Sequence, residues 1–200
     1  MVRRHDDTSA ALIDAAHRLL IAEGFEALTV RRIAAEAGMS TMNVYSRFGG
    51  KDGVLDVLYR DGFRRLLEAL DAVPVTRDDY EGEMLACALA YRRFALENPQ
   101  YYDIMFRHFD GARDYAELAR GGLRTTVERL QAKLDQGVPL PQGMDALGLI
   151  VWLWSMCHGM ISLELDGMGS ELVDWDQLYR AGVGAAARGI VSGRVPTSPG

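Results

Sequence analysis

Cysteine is scarce in this 200-residue sequence: Cys87 and Cys157 are the only two, far apart and with no Cys or His at metal-ligand spacing. A disulfide framework and a zinc site are thereby excluded, no cofactor or metal site is expected, and a reduced, cytoplasmic setting fits best. Proline is also rare, six residues, and none of them interrupts a run of periodic hydrophobicity. No stretch alternates with period two and nothing repeats at 20 to 50 residues, which removes β architectures and solenoids. There is no Gly-rich phosphate loop, no His-Glu-x-x-His, and no nucleophile beside a base, so the enzyme classes with a readable signature are missing and an all-α enzyme is left only as a remote alternative. The first residues are basic, but no apolar run follows them, so a secretory leader is not expected.

What is present is enough apolar material for a core: 48% hydrophobic against 25% charged residues, which excludes a disordered chain. One stretch, Ala146 to Ser162, runs without a charged residue through Leu149-Ile150-Val151-Trp152-Leu153-Trp154. It is borderline in length for a membrane span and carries Ser155, His158 and Ser162, so it is read as a buried helix, with no membrane partner. The net charge of −6 is unevenly spread. Through Lys51 there are seven Lys or Arg against six Asp or Glu, net +1; beyond it there are 15 against 22, net −7. Attraction to phosphate is local, screened within a Debye length of ~8 Å, so an acidic chain can still hold DNA on a basic face.

Apolar spacing is helical throughout, predicting an all-α fold of about nine helices. Leu12, Ala16, Leu19 and Leu20 share one face of a first helix that stops near Gly24. Thr29 caps a second, with Val30, Ile33, Ala34 and Ala37 inward and Gly38 after it. Ser40 caps a third of about two turns, with Met39 and Val44 placed as a hydrophobic staple. Two helices joined by a four-residue turn with Gly read as helix-turn-helix: Ala34 permits close approach, Gly38 supplies positive φ, and Val44 points inward. Lys51-Asp52 opens a longer helix ending before Pro74. Further helices follow around Met84 to Leu96, after Asn98-Pro99, through Leu123, Val127, Leu130 and Leu134, over about Asp145 to Leu165, and from Trp175 to about Ser192. Trp175, Leu178, Tyr179 and Gly182 are expected inward on the last.

Residues 8 to 60 resemble the N-terminal domain of the TetR/AcrR family of bacterial transcriptional regulators. The likeness is carried by Leu12-Ile13-Asp14-Ala15-Ala16, Gly24-Phe25, Leu28-Thr29-Val30-Arg31-Arg32-Ile33-Ala34, Ala37-Gly38-Met39-Ser40, Val44-Tyr45, Phe48 and Lys51-Asp52. Tyr91-Arg92-Arg93-Phe94-Ala95, Asn98-Pro99 and Trp154 with His158-Gly159-Met160-Ile161 resemble a Trp-His-Gly subgroup of the family's C-terminal domains. The resemblance implies a DNA-binding domain over 1–53 and a ligand-binding and dimerisation domain over 54–200. It also implies a homodimer that seats one recognition helix per subunit on a palindromic double-stranded operator and is released by a small-molecule effector, that is, a repressor. The same fold acting as an activator, or needing its ligand to bind DNA, remains the alternative, since the sign depends on operator position and ligand preference.

Matched position by position, Thr29 and Arg31 would hold phosphate, with Arg32 in reserve. The third helix would present Thr41, Met42, Asn43, Ser46 and Arg47 with Ser40 at its start, while Tyr45 sets its ring on the backbone and its hydroxyl on a phosphate. Arg47 suits guanine and Asn43 adenine. Lys51 is the remaining phosphate contact, although Gly50 stands where the family usually has Ser or Asn to cap. Each of Arg31 and Arg32 has the bland alternative of a solvated face, Tyr45 that of covering the core, and Arg3 and Arg4 that of a disordered end.

Phe94, Met105, Phe106, Phe109, Trp152, Met156, His158 and Met160 are candidates to line an adaptable pocket for an apolar or aromatic ligand, and singly each could equally be core. His158 either meets a ligand or stays buried and bonded to backbone. His108 is read as surface and Cys157 as packing. Small residues in the last helix, Gly182, Ala185, Ala186 and Gly189, together with Trp154, are candidates for a four-helix dimer interface.

Overall fold

The computed structural model describes residues 3–75, 79–107, 126–135, 137, 140–141 and 144–191. Among the described residues there are nine α-helices and no strand: α1 (Arg3–Glu23), α2 (Val30–Glu36), α3 (Thr41–Phe48), α4 (Lys51–Asp71), α5 (Tyr80–Glu97), α6 (Pro99–Phe106), α7 (126–134), α8 (Ala146–Leu165) and α9 (Trp175–Val191). The boundaries follow the local chemistry. Asp145 caps α8 by accepting from the Gly148 amide at 2.7 Å, and Pro99 opens α6 at a position where no amide is needed. One element escapes the periodicity: a 3-10 turn at Phe25–Ala27, entered through Gly24 at φ 81°.

Packing divides the chain into two compact units that are not contiguous in sequence. The first comprises residues 1–65 and 98–114, the second 66–97 and 115–200. In the first unit Leu12, Ala16 and Leu20 of α1 meet Ile33 of α2, Val44 of α3 and Leu58 of α4, all buried. Helix α6 joins this unit, with Tyr101, Tyr102 and Met105 buried. Met105 Sδ would lie 2.8 Å from a Cβ on Gly62, so the missing side chain leaves the space that the Met105 side chain of α6 occupies against α4. A polar cluster ties α1, α4 and α6: Tyr101 Oη touches His17 Nδ1 and donates to Asp61 Oδ2 at 3.2 Å, and Asp61 is gripped by Arg64 Nε at 3.1 Å and Arg65 Nε at 2.7 Å. Burial pushes the Asp61 carboxyl up, but the two guanidiniums outweigh it and hold the group below its ordinary range.

In the second unit α5, α8 and α9 pack together, with Tyr179 fully buried and donating to Ala88 O at 2.8 Å. Leu130, Ala146, Leu149 and Ile190 form a further apolar cluster that includes α7. Lys133 of α7 is buried against Glu83 of α5 at 2.9 Å. Two expectations change here. Leu178 is exposed, because the buried stripe of α9 runs through Tyr179, Val183, Ala187 and Ile190, a spacing of four, four and three that leaves residue 178 to one side. Helix α8 is not a buried helix either. Its buried side is Ala146, Leu149, Cys157 and Ile161, while Leu147, Val151 and Trp154 share an apolar side open to solvent and Leu163 is exposed elsewhere on the helix. By length and composition α8 is also apolar enough to cross a membrane.

Candidate nucleic-acid interface

The turn between α2 and α3 is built from backbone. After Glu36 the Gly38 amide bonds Ala35 O at 3.0 Å and the Met39 amide bonds Ala34 O at 2.8 Å, a closure that requires φ of 66° at Gly38. Helix α3 is then held by one buried side chain, Val44, and closed by Gly49, whose amide returns to Tyr45 O at 2.9 Å. Everything else on α3 faces outward or sideways. Thr41, Met42, Tyr45 and Ser46 are exposed, Met42 at 70% and Tyr45 at 55%, an unusual degree for large apolar side chains on a helix of eight residues.

Thr29 behaves as the spacing predicts: its Oγ1 accepts from the Arg32 amide at 3.3 Å, which leaves the hydroxyl proton for an outside acceptor. Arg31 beside it is exposed. Arg32, the reserve candidate, grips Glu23 of α1 with both terminal nitrogens, one of them 2.7 Å from Oε2, and its bond holds the Glu23 carboxyl below its usual range. Lys51 lies half-buried with Nζ 4.4 Å from the centre of the Phe25 ring, so the unforeseen 3-10 turn supplies its seat. Gly50 has φ of 131°, open in practice to glycine alone, and it is this backbone angle rather than lack of space that selects glycine, since a Cβ there would lie in ordinary contact with the Tyr45 ring at 3.5 Å. Its departure from the family pattern therefore belongs to the backbone path that leads from α3 into α4.

Ser40 stands at the N-cap of α3, but its side chain does not cap the backbone. Its Oγ instead accepts from Asn43 Nδ2 at 3.2 Å, and the carboxamide takes the place of the amide that capping would use. Asn43 Oδ1 in turn accepts from Arg47 Nη1 at 3.1 Å, and the same nitrogen lies 3.4 Å from Ser46 Oγ. Arg47 is half-buried, with its Nε buried and without a partner, so its guanidinium lies along α3.

The other candidate positions divide between the units. Met105 and Phe106 are in the first unit, Phe106 edge-on to Phe63 with centroids 5.8 Å apart. Phe94, Trp152, Met156, His158 and Met160 are in the second. His158 is bonded to a side chain: its Nδ1 lies 3.2 Å from Tyr91 Oη, and Trp154 Nε1 donates to that same hydroxyl at 3.2 Å. Cys157 is buried, and burial raises its thiol further from reactivity. Gly182 faces Met160 of its own chain, whose Sδ would lie 3.6 Å from a Cβ there; Ala185 is exposed, and Ala186 and Gly189 are half-buried. Phe109 and His108 lie outside the described residues, as do the Arg3 and Arg4 side chains.

Residues 12–58 match the family described as "Bacterial regulatory proteins, tetR family", and residues 84–186 match "Tetracyclin repressor-like, C-terminal domain". The chain belongs to the TetR family. The C-terminal match carries this broader description rather than the Trp-His-Gly subgroup. Among curated relatives, an HTH-type transcriptional regulator of Mycobacterium tuberculosis is 25% identical over 103 residues, half of this chain and 44% of that one. The chain thus spans under half the length of that relative. A second, uncharacterised HTH-type regulator of M. tuberculosis is 24% identical over 174 residues, 84% of this chain and 75% of the other. A solved structure of a protein from Rhodococcus sp. RHA1 superposes with a TM-score of 0.78 at 25% identity, covering 92% of this chain and 95% of that one. The TetR-family regulator PfmR from Thermus thermophilus shares the fold at a TM-score of 0.64 and 21% identity, covering 88% and 97%.

Proposed function

We propose that the chain is a homodimeric repressor that binds a palindromic DNA operator through α3 and releases it when an apolar or aromatic small molecule occupies the C-terminal part. Residues 1–53 act as the DNA-binding domain and 54–200 as the ligand-binding and dimerisation domain. The observation that carries this is α3 itself: a short helix clamped underneath by Val44 and otherwise turned outward, with Thr41, Met42, Tyr45 and Ser46 exposed and Thr29, Arg31 and Lys51 beside it. A helix of that kind fits a major groove, and a two-fold dimer sets the separation of half-sites.

The dimer is supported by α8. Its exposed apolar side of Leu147, Val151 and Trp154 needs cover, and a second copy supplies it together with the small residues of α9. For the effector, the second unit offers the adaptable apolar side chains Phe94, Trp152, Met156 and Met160, and separately a hydroxyl–imidazole pair at Tyr91 and His158.

The test is binding of the full chain to duplexes from its own upstream region, followed by fluorescence anisotropy between 50 and 200 mM salt and repeated with a panel of apolar compounds. A specific duplex should be held by a dimer, weaken by roughly 10³-fold or more across that range, and be released by one compound. Absence of binding to every duplex at low salt, with and without compounds, overturns the proposal.

A further inference from the structure

We infer that Asn43 reads an adenine in each half-site and that Arg47 is its positioning residue, not a reader of guanine. This rests on the DNA-binding reading above and specifies what α3 recognises.

Ser40, Asn43 and Arg47 fall at offsets 0, 3 and 7, which places them in one row along α3. An amide side chain has two chemically opposite ends, and a helix surface by itself does not choose between them. Here the choice is forced. A guanidinium donates and never accepts, so the Asn43 atom 3.1 Å from Arg47 Nη1 must be the carbonyl oxygen. The amide nitrogen is then directed the other way, where Ser40 Oγ receives one of its protons at 3.2 Å. Both ends of the carboxamide are pinned, yet neither is used up. Oδ1 keeps a second lone pair and Nδ2 a second proton.

What remains is one acceptor and one donor side by side in a fixed order. On the major-groove edge adenine offers one donor, N6–H, and one acceptor, N7, which this pair completes. Guanine offers two acceptors, O6 and N7, for which the pinned amide has a single remaining proton. Arg47 is poorly placed to take guanine itself. It is half-buried, one terminal nitrogen is engaged by Asn43, and Nε is buried along the helix, so forking onto a base would require leaving the row. Pinning also removes rotamer freedom before DNA arrives, which favours the pinned fork over a mobile one.

The experiment selects duplexes from a randomised library with the full chain, then replaces each selected adenine by 7-deazaadenine, which lacks the N7 acceptor. One adenine per half-site should matter, the replacement weakening the wild-type protein by roughly tenfold. Asn43→Ala should abolish that difference, and Arg47→Ala should shrink it by about threefold at the same adenine. The double variant should equal Asn43→Ala alone, and Arg47→Lys, which still donates, should restore most of the difference. Each value is a ratio measured on one protein, so altered folding cancels. If Arg47→Ala instead changes preference at a guanine, or the two substitutions act independently, Arg47 reads for itself and the inference is overturned. If the library yields no enriched sequence, the DNA reading itself fails, and this inference falls with it.

Discussion

Arg92 on α5 grips Glu164 on α8 through two parallel bonds, Nε to Oε2 at 2.8 Å and Nη2 to Oε1 at 2.6 Å, with the side chains only 12% and 15% exposed. Its remaining nitrogen reaches Asp176 of α9 at 2.8 Å, and the guanidinium sits 5.5 Å from the centre of the Tyr179 ring. One side chain thus joins three helices of the second unit. Arg92→Ala should cost about 3–5 kcal/mol in urea unfolding, because it leaves the Glu164 carboxylate in a largely buried place without its partner. Arg92→Met combined with Glu164→Leu should recover most of that loss. A single-variant cost below about 1 kcal/mol would show that the pair behaves as an ordinary surface bridge.

At the junction of α3 and α4 the backbone leaves no room for a methyl group. A Cβ on Gly53 would lie 1.8 Å from Phe48 O. Glycine to alanine in an exposed helix normally stabilises by roughly 1 kcal/mol; here the sign should reverse, and Gly53→Ala should destabilise the first unit by about 3 kcal/mol as the two helices are forced apart. Calorimetry on the full chain checks it, and an unchanged or raised midpoint would refute the close approach.

Gly159 presents the opposite case, since nothing lies within 4 Å of a Cβ built there and it is exposed on a face of α8. In dilute protein Gly159→Ala should strengthen the helix by about 1 kcal/mol. If a second copy packs on that face, the same methyl should weaken the dimer in sedimentation. Stabilisation with no change in dimer affinity would move the interface elsewhere.

Arg31 and Arg32 are neighbours with different tasks. Arg31→Ala should weaken every duplex about equally and lower the salt slope by about 1, as a phosphate contact does. Arg32→Ala removes the grip on Glu23 and should affect stability slightly and DNA little, since both partners are exposed. Equal losses of affinity in the two variants would contradict this division.

His17 gives the first unit a pH dependence. Burial holds its imidazole below the ordinary value of 6.5, against the raising effect of Asp61 and Asp14 and alongside the lowering effect of Arg65 and Arg64. The folded chain therefore binds this proton less readily than the unfolded one. Stability should be complete above about pH 6.5 and decline as pH falls through the depressed value. Asp61, also depressed, carries the same trend to lower pH. His17→Gln should flatten the upper part of the decline in denaturant midpoints measured between pH 5 and 8; an unaltered profile would assign it to other groups.

Much of this protein is decided over short distances and could be seen in the sequence. The order of helices, the cap at Thr29, the turn at Gly38 and the outward placing of Thr41, Met42 and Ser46 follow from spacing and from what neighbouring backbone atoms need, whereas Asn43 and Arg47, expected outward with them, are half-buried. The 3-10 turn under Lys51 did not show, because three residues are too few for a period to register.

Tertiary structure decided what depends on partners far apart in the chain. Asp61, His17 and Tyr101 are separated by up to 84 residues yet form one cluster, and Arg92 meets Glu164 across 72. Nothing in the local pattern distinguishes Arg31 from Arg32 until Glu23 is seen to take one of them. Nor does hydropathy reveal which side of α8 is covered: apolar content gives the total to be buried, while only the packing of α5 and α9 against one side shows that Leu147, Val151, Trp154 and Leu163 remain outside. Sequence determined the helices and the chemistry they carry; the fold decided which of those groups are spent on each other, because burial and pairing are properties of neighbours in space rather than in the chain.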